Sequence, residues 1–152
     1  MIISLPIGAV ILAELDATAK KLALHDFSSR VKDFLKGAAH GKVKAMLATG
    51  GTASSLAMLA QQLTEYNAAM INGFYLSGTK IYEIHNLLSA LPVKPRKVPP
   101  WIEDRQAIII SGLEIYQEIL ATIGAKGMIV SDAGLLEGIL YSITMGCLNQ
   151  VP

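Results

Sequence analysis

Apolar and polar positions along the chain fall into two patterns. Short apolar runs that end at glycine or polar turns predict buried strands, and longer segments with apolar residues three or four apart predict helices. The predicted strands are Ile2–Leu5, Val43–Ala48 and Met128–Ser131. The predicted helices run from Asp26 or Ser28 to about Ala38, from Thr52 to Leu63, from Ser77 to about Leu91, from Glu103 or Asp104 to about Gly124, and from Leu135 to about Met145. Strands that alternate with helices favour an α/β fold with a parallel sheet.

The predicted sheet is incomplete. Only Val43–Ala48 and Met128–Ser131 have the continuous apolar character of central strands, and Ile2–Leu5 is at most an edge. A parallel sheet is covered on both faces and normally contains about four to six strands. The length of 152 residues fits one domain. We therefore expect a single helix-rich domain whose sheet is completed by a segment that precedes Met1 or by another chain.

The segment Val43–Leu59 carries the clearest functional pattern. An apolar run leads into Thr49, Gly50, Gly51 and Thr52, and a helix-forming stretch follows at once. Glycines let a ligand approach the backbone, and the free N–H groups of a first helical turn attract anions. Thr52 can cap the helix or donate its hydroxyl to an anion. The pattern predicts an anion site, and the alternative interpretation is a tight strand–helix turn.

Composition narrows the classes of partner. The chain is 52% hydrophobic and 16% charged, with a mean hydropathy of +0.45, which indicates a large buried area that includes an interface. A net charge of +1 gives no long-range attraction to nucleic acid. No apolar run approaches the roughly 18 residues of a membrane span, and the N-terminus does not resemble a signal peptide. The single Cys147 suits a reducing compartment, so we expect a cytoplasmic protein without nucleic-acid or membrane partners.

Four segments, in order, resemble the C-terminal part of the exopolyphosphatase and guanosine pentaphosphate phosphohydrolase (Ppx/GppA) family. They are SLPIGAVIL (Ser4–Leu12), ATGGTASSLAML (Ala48–Leu59), EDRQAIIISGLEIYQEIL (Glu103–Leu120, after a proline-rich linker) and VSDAGLLEGIL (Val130–Leu140). The resemblance covers most of the chain. It implies the two-lobed fold of actin, sugar kinases and Hsp70. This chain would be its C-terminal half, a helix-rich α/β lobe of the ribonuclease H-like type with an incomplete sheet.

The resemblance also implies an activity, the removal of the terminal phosphate of polyphosphate or of the 5′ phosphate of guanosine pentaphosphate. In that family an N-terminal lobe carries an Asp-x-Gly-Ser phosphate loop, the Glu that activates water and a second glycine-rich loop, and this sequence contains none of the three. Mg²⁺ is implied for the intact family enzyme, whereas we expect no cofactor and no hydrolysis from this chain alone. The family's closing motif is GLREG, and here Leu136 replaces its Arg.

The predicted site consists of Gly50, Gly51, Thr52 and Arg105, which would bind polyphosphate or a guanosine polyphosphate in the cleft between this lobe and the N-terminal lobe. Arg105 begins a helix and so opposes the helix dipole, which a bound anion would explain. The alternative for Arg105 is a surface ion pair with Glu103 or with another surface carboxylate.

Other polar residues are interpreted as structural. Ser131 and Asp132 could face the cleft, but a turn-capping role is favoured, and Glu137 is expected to complement a helix dipole. The basic cluster Lys94, Arg96 and Lys97 is interpreted as a solvated loop. The histidines His25, His40 and His85 are too far apart in sequence to suggest a metal site.

Two classes of function remain open at this stage. The chain is either one lobe of a phosphohydrolase or a non-catalytic module that binds phosphate-rich ligands and associates with itself. A sugar-kinase lobe is a third reading, and the order of the four segments argues against it. Because the missing strands would leave apolar surface exposed, the isolated chain is expected to form a homodimer or to aggregate.

Overall fold

The computed structural model describes residues 2–37, 43, 45–91 and 100–145, which form a helix-rich α/β lobe. Its helices are α1 (Ala9–Glu14), α2 (Ala17–Gly37), α3 (Gly51–Ala60), α4 (Ala68–Ile71), α5 (Gly78–Ala90), α6 (Pro100–Glu103), α7 (Gln106–Ile123) and α8 (Leu135–Thr144). Its strands are β1 (Leu47–Thr49), β2 (Tyr75–Ser77) and β3 (Gly127–Ser131). The predicted fold class is confirmed, and four of the predicted helices are present with small shifts at their ends. Within these ranges, no helix combines the length and the apolar character that a membrane crossing requires.

The sheet is small and mixed, with the strand order β1-β3-β2. β3 pairs in parallel with β1, where Thr49 lies beside Ser131, and antiparallel with β2, where Ser77 lies beside Gly127. The prediction of a parallel sheet is therefore wrong for one of the two pairings. The sequence pattern missed β2 because this strand has only three residues between the turn at Gly73 and the start of α5.

The first predicted strand is not formed. Residues Ile2–Leu5 lie in no strand, and the side chain of Ile2 is 96% exposed. An extended segment becomes a strand only where a neighbouring strand satisfies its backbone hydrogen bonds, and none of the described strands pairs with this segment. The apolar pattern of Ile2–Leu5 therefore predicted a strand that has no neighbour within this lobe.

Helix α2 begins at Ala17 and not at the predicted Asp26 or Ser28. The side chain of Asp16 caps this helix, because its Oδ1 accepts a hydrogen bond of 2.8 Å from the N–H of Thr18. Several residues of the cap-forming types occur along this segment, and the first of them determines where the helix starts. The prediction placed the start too late for that reason.

The central helix of the lobe is α7, as the sequence predicted. It packs against α1, α2, α3 and α5, and its apolar face joins the buried residues of α3, α5 and the sheet. The fully buried side chains of this core include Leu56, Ile71, Leu76, Ile81, Ile109, Leu113, Met128 and Val130. Each such burial contributes about 1.5–3 kcal/mol to folding. This core holds the N-terminal ends of α3 and α7 close together.

Helix α8 differs from the core helices because none of its described side chains is buried. Leu135, Leu136, Leu140, Tyr141 and Ile143 are each exposed by more than half. A helix of this length has little stability of its own in water, and an apolar helix surface normally packs against protein. The lobe therefore presents on α8 an apolar surface suited to packing against further protein.

Candidate functional site

The carboxyl ends of β1 and β3 meet at one edge of the sheet. Because these two strands are parallel, the turn after Thr49 and the turn after Ser131 lie side by side. Thr49 Oγ1 donates a hydrogen bond of 2.8 Å to the carbonyl of Ala133, which ties the two turns together. A cavity of about 590 Å³ opens at this edge. Its position and size are those of a ligand site in an open α/β sheet.

Gly50 gives the first turn its shape. Its φ of 95° lies in a region that residues with a side chain rarely adopt. With this backbone conformation α3 starts directly after β1, at Gly51, and no side chain caps the new helix. The first N–H groups of a helix have no partner within it. Since Gly50 and Gly51 line the cavity, the turn offers N–H donors and the positive end of a helix dipole to a ligand.

Arg105 reaches the same turn from a distant part of the chain. It is the N-cap residue of α7, and it lines the cavity. Its guanidinium lies against Gly51, because a Cβ atom at position 51 would be only 3.2 Å from Arg105 Nη2. No ion pair between described side chains involves Arg105. The side chain of Glu103, its alternative partner, lies outside what the structure describes.

Thr52 lies against α7 and does not belong to the described part of the cavity wall. A Cβ atom at position 112 would be 2.9 Å from Thr52 Oγ1, so the hydroxyl side chain occupies the space above Gly112. The predicted capping role is wrong, since the N-cap residue is Gly50. The predicted ligand contact of Thr52 stays a prediction. The structure brings together the other three candidates, Gly50, Gly51 and Arg105.

Asp132 links the second turn to an aromatic side chain. Tyr66 donates a hydrogen bond to Asp132 Oδ2, and this bond raises the pKa of Tyr66 above its ordinary value of 10.0. The N–H of Asp132 donates to Asn72 Oδ1 at 3.2 Å, and Ser131 Oγ donates to the carbonyl of Ala133 at 3.2 Å. The predicted turn-capping role is confirmed for Ser131, whereas the carboxylate of Asp132 accepts hydrogen bonds from the side chains of Tyr66 and Ser54 and from no backbone N–H of the described residues. Asp132 also lines the cavity, so it faces any ligand held there.

Sequence reasoning singled out Leu136 but missed the other apolar residues of the wall, to which Met58, Tyr66 and Trp101 contribute beside Leu136. The indole Nε1 of Trp101 is buried and has no hydrogen-bond partner in the described part of the chain. These four residues come from different elements, so no local pattern groups them. The one signal in the sequence is that Trp101 is the single tryptophan and follows the proline-rich stretch directly.

Glu137 closes the turn before α8. Its Oε2 accepts a hydrogen bond of 2.7 Å from the N–H of Gly134. Hydrogen bonds from its own backbone N–H and from that of Gly134 lower the pKa of Glu137, so the carboxylate is charged at neutral pH. The expected role of Glu137 at the helix N-terminus is confirmed. Its neighbour Leu136, which stands where the resembling family has Arg, is 73% exposed at the cavity.

The described residues do not form a metal site. Within the ranges that the structure describes, no three His, Cys, Asp or Glu side chains are grouped so that they could hold an ion. The two cavity carboxylates are engaged by protein groups, Asp132 by Tyr66 and Glu137 by Gly134. The remaining candidates of the sequence analysis, namely Lys94, Arg96, Lys97, His40 and Cys147, lie outside the described residues.

A comparison with models of protein families shows to which family this lobe belongs. The model of the Ppx/GppA phosphatase family matches residues 1–145. The chain belongs to the Ppx/GppA phosphatase family. The resemblance carried by the four sequence segments is confirmed by this match. No curated protein matches the chain.

Solved structures share the fold. The crystal structure of the Aquifex aeolicus member of the Ppx/GppA family matches with a TM-score of 0.77 and 26% identity, over 95% of this chain and 48% of that one. The type II variant of the Aquifex aeolicus Ppx/GppA phosphatase matches with a TM-score of 0.76 and 28% identity, over 92% of this chain and 48% of that one. An exopolyphosphatase from Cytophaga hutchinsonii matches with a TM-score of 0.63 and 16% identity, over 91% of this chain and 42% of that one. This similarity shows the fold alone. The chain thus spans about half the length of these relatives.

Proposed function

We propose that this chain forms one wall of the phosphate-binding cleft of a phosphohydrolase that acts on polyphosphate or guanosine pentaphosphate. The observation that carries the proposal is the guanidinium of Arg105, which lies against Gly51 at the uncapped N-terminus of α3. N–H donors, a helix dipole and a cation converge there on one part of the cavity. A phosphoryl group presents several charged oxygens that such a set of donors binds well.

The proposed division of labour follows from what the cavity contains. Hydrolysis of a phosphoanhydride needs a positioned water, a base and electrostatic stabilisation of the phosphoryl group. The N–H groups at Gly50 and Gly51 and the guanidinium of Arg105 supply only the last of these. We therefore assign the base and the remaining phosphate contacts to a partner N-terminal lobe, with this chain as the second lobe of a cytoplasmic protein. α8 offers that partner an apolar surface.

We assign no Mg²⁺ site to the described residues of this lobe. Mg²⁺ is typically held by one or two carboxylates together with substrate phosphates, and one oxygen of Asp132 and one of Glu137 already accept hydrogen bonds from protein groups. No step is therefore assigned here to a metal on this chain. A metal that serves the intact phosphohydrolase would be held by the partner lobe and by the substrate phosphates.

Phosphate binding by the purified chain tests this proposal. Calorimetric titration with inorganic tripolyphosphate, at low ionic strength and without Mg²⁺, should show binding that Arg105→Ala weakens by about tenfold or more. Arg30→Ala is the matched control, because Arg30 pairs with Asp26 on α2 and does not line the cavity. Equal losses in the two variants would indicate non-specific attraction and contradict the proposal. Phosphate release from polyphosphate with Mg²⁺ should stay at background, and a robust rate would overturn the division of labour.

A non-catalytic module that associates with itself is the second candidate, and the exposure of α8 favours it. A second copy of the chain could cover the same apolar residues as a partner lobe. Light scattering should then show a dimer that Leu140→Lys dissociates, with Lys32→Ala on α2 as a control. A monomer across the micromolar range would contradict this candidate and leave α8 for the partner lobe.

A further inference from the structure

The cavity that contains the anion-binding turn also has an aromatic side. Tyr66 and Trp101 line it together with the thioether side chain of Met58, which is 7% exposed. A chain of phosphoryl groups gains nothing from such a surface, because phosphoryl oxygens need donors and cations. Aromatic and thioether groups instead bind flat, apolar rings by stacking and dispersion contacts. This side of the cavity suits a ring.

The indole of Trp101 contributes its ring to this surface. Its Nε1 is buried and has no hydrogen-bond partner within the described residues. Because that atom has no accessible surface, a ligand in the cavity can contact the ring but not the N–H group. A planar ring that stacks on the indole suits this surface.

The charges of the cavity wall point to the same kind of ligand. Among the described residues that line it, Arg105 is the only cation, whereas Asp132 and Glu137 are acidic. A linear polyphosphate carries negative charge along its whole length. If one end binds at Arg105, the rest of the chain lies near Asp132 and Glu137 and is repelled by them. A ligand that combines phosphoryl groups with an uncharged ring matches this distribution.

Leu136 completes the apolar side. Its side chain is 73% exposed and lines the cavity at the first turn of α8. An Arg at this position would add a second cation beside the anion-binding turn. With Leu there, the wall is apolar at a point where a longer phosphate chain would need a positive charge.

We propose that Trp101, Tyr66 and Leu136 form a subsite for a planar heteroaromatic ring, so that this lobe selects a phosphorylated nucleoside over a linear polyphosphate. The inference rests on the proposed function, since it takes the turn at Gly50 and Arg105 as the phosphate end of the same site. It chooses between the two substrate classes that the proposed function leaves open. The residues that make the choice are those of the aromatic side, not those of the anion-binding turn.

The experiment compares two ligands of similar charge, guanosine 5′-triphosphate and inorganic tripolyphosphate, on the whole chain without Mg²⁺. Because Trp101 is the single tryptophan, its fluorescence reports directly on the cavity. The nucleotide should quench this fluorescence and bind about tenfold more tightly than tripolyphosphate, as expected for one stacked base. Titration calorimetry should give the same ratio of dissociation constants.

Variants separate the two ends of the site. Trp101→Ala should reduce nucleotide binding to the level of tripolyphosphate and leave tripolyphosphate binding unchanged, whereas Trp101→Phe should keep most of the preference. Leu136→Arg should tighten tripolyphosphate binding several-fold. Tyr82→Ala, at an exposed position of α5 outside the cavity wall, is the control and should change neither affinity.

Three other outcomes would each overturn the inference, and each would show which part of it is wrong. If tripolyphosphate binds as tightly as the nucleotide and Arg105→Ala weakens both, the subsite does not exist while the proposed function stands. If Trp101→Ala weakens both ligands equally, the indole acts through the fold and not through a ring. If neither ligand binds at millimolar concentration, the anion-binding turn fails, and the subsite fails with it.

Discussion

Gly112 of the central helix α7 lies directly beneath Thr52 of α3, close enough that a Cβ atom at position 112 would be 2.9 Å from the threonine hydroxyl oxygen. The glycine is thus what allows the two helices to approach. This approach sets the position of the N-terminus of α3, where the turn at Gly50 and Gly51 is located. It also explains why Thr52 packs into the protein while the glycines before it line the cavity.

Replacement of this glycine should destabilise the fold. Gly112→Ala forces the two helices apart, and we expect a loss of about 1–3 kcal/mol in the free energy of unfolding, measured with urea. The double variant Gly112→Ala with Thr52→Ala removes the collision and should recover most of that loss. Gly138→Ala is the control, because α8 has open space at that position and alanine favours a helix. A Gly112→Ala protein as stable as the parent would contradict this packing.

Alanine at Gly50 should be costly for a different reason. The φ of 95° is strained for any residue with a Cβ atom, although no neighbouring atom would obstruct that Cβ. We expect Gly50→Ala to lower the free energy of unfolding by about 1–3 kcal/mol. Gly8→Ala is the matched control, since Gly8 is extended, with φ of −147°, and also has open space around it. Because Gly8 is the N-cap residue of α1 and alanine caps a helix less well than glycine, that control should lose at most about 1 kcal/mol.

Tyr66 should ionise at higher pH than an ordinary tyrosine. Its hydrogen bond to Asp132 raises the pKa above 10.0, so the folded chain holds the phenolic proton longer than the unfolded chain does. The stability from this bond is therefore fully present below pH 10 and is lost as the pH rises through the raised pKa. Ultraviolet titration at high pH should show this late ionisation, and Asp132→Asn should move it to lower pH. Tyr66→Phe identifies the signal, because burial also raises the pKa of Tyr116.

The side chain of Gln106 should stabilise the packing of α7 against the C-terminal end of α5. Its side-chain Nε2 donates to the carbonyl of Leu88 at 2.8 Å and to that of Leu91 at 3.3 Å, and the residue is buried. Gln106→Met keeps the shape but removes the side-chain donor from both carbonyls, and Leu88 then keeps only the N–H of Leu91, so we expect a loss of about 1–3 kcal/mol in thermal or urea unfolding. Gln61→Met is the control. Gln61 also bonds two carbonyls, but at a more exposed place where water can replace it, so its loss should be smaller.

The sequence predicted the elements whose signals are local. The glycine turn at Gly50 and Gly51, the helix start at Ser77 and the long apolar helix that ends at Gly124 were predicted close to their observed places. Each depends on residues adjacent in the chain, so composition and spacing are sufficient to identify it. The family could be identified from the sequence for the same reason, because four segments with local signals occur in the family's order.

The sequence could not predict the features that depend on distant neighbours. β2 is a strand only because β3 lies beside it, and Ile2–Leu5 is not one because it has no neighbouring strand. The cavity wall is similar, since Trp101, Tyr66 and Leu136 meet only in the folded lobe. Pattern reasoning named Gly50, Gly51 and Arg105, which the fold brings to one cavity, and it did not name the aromatic residues that line the same cavity.

The position of β3 between β1 and β2 also governs how the lobe can be made. Neither outer strand has the other as a neighbour, so the sheet cannot assemble before residues 127–131 have left the ribosome. Until then a nascent chain exposes both outer strands and the apolar helices that will cover them, and exposed surfaces of this kind favour aggregation. The glycine turn therefore leaves the ribosome before the strand that holds it in place.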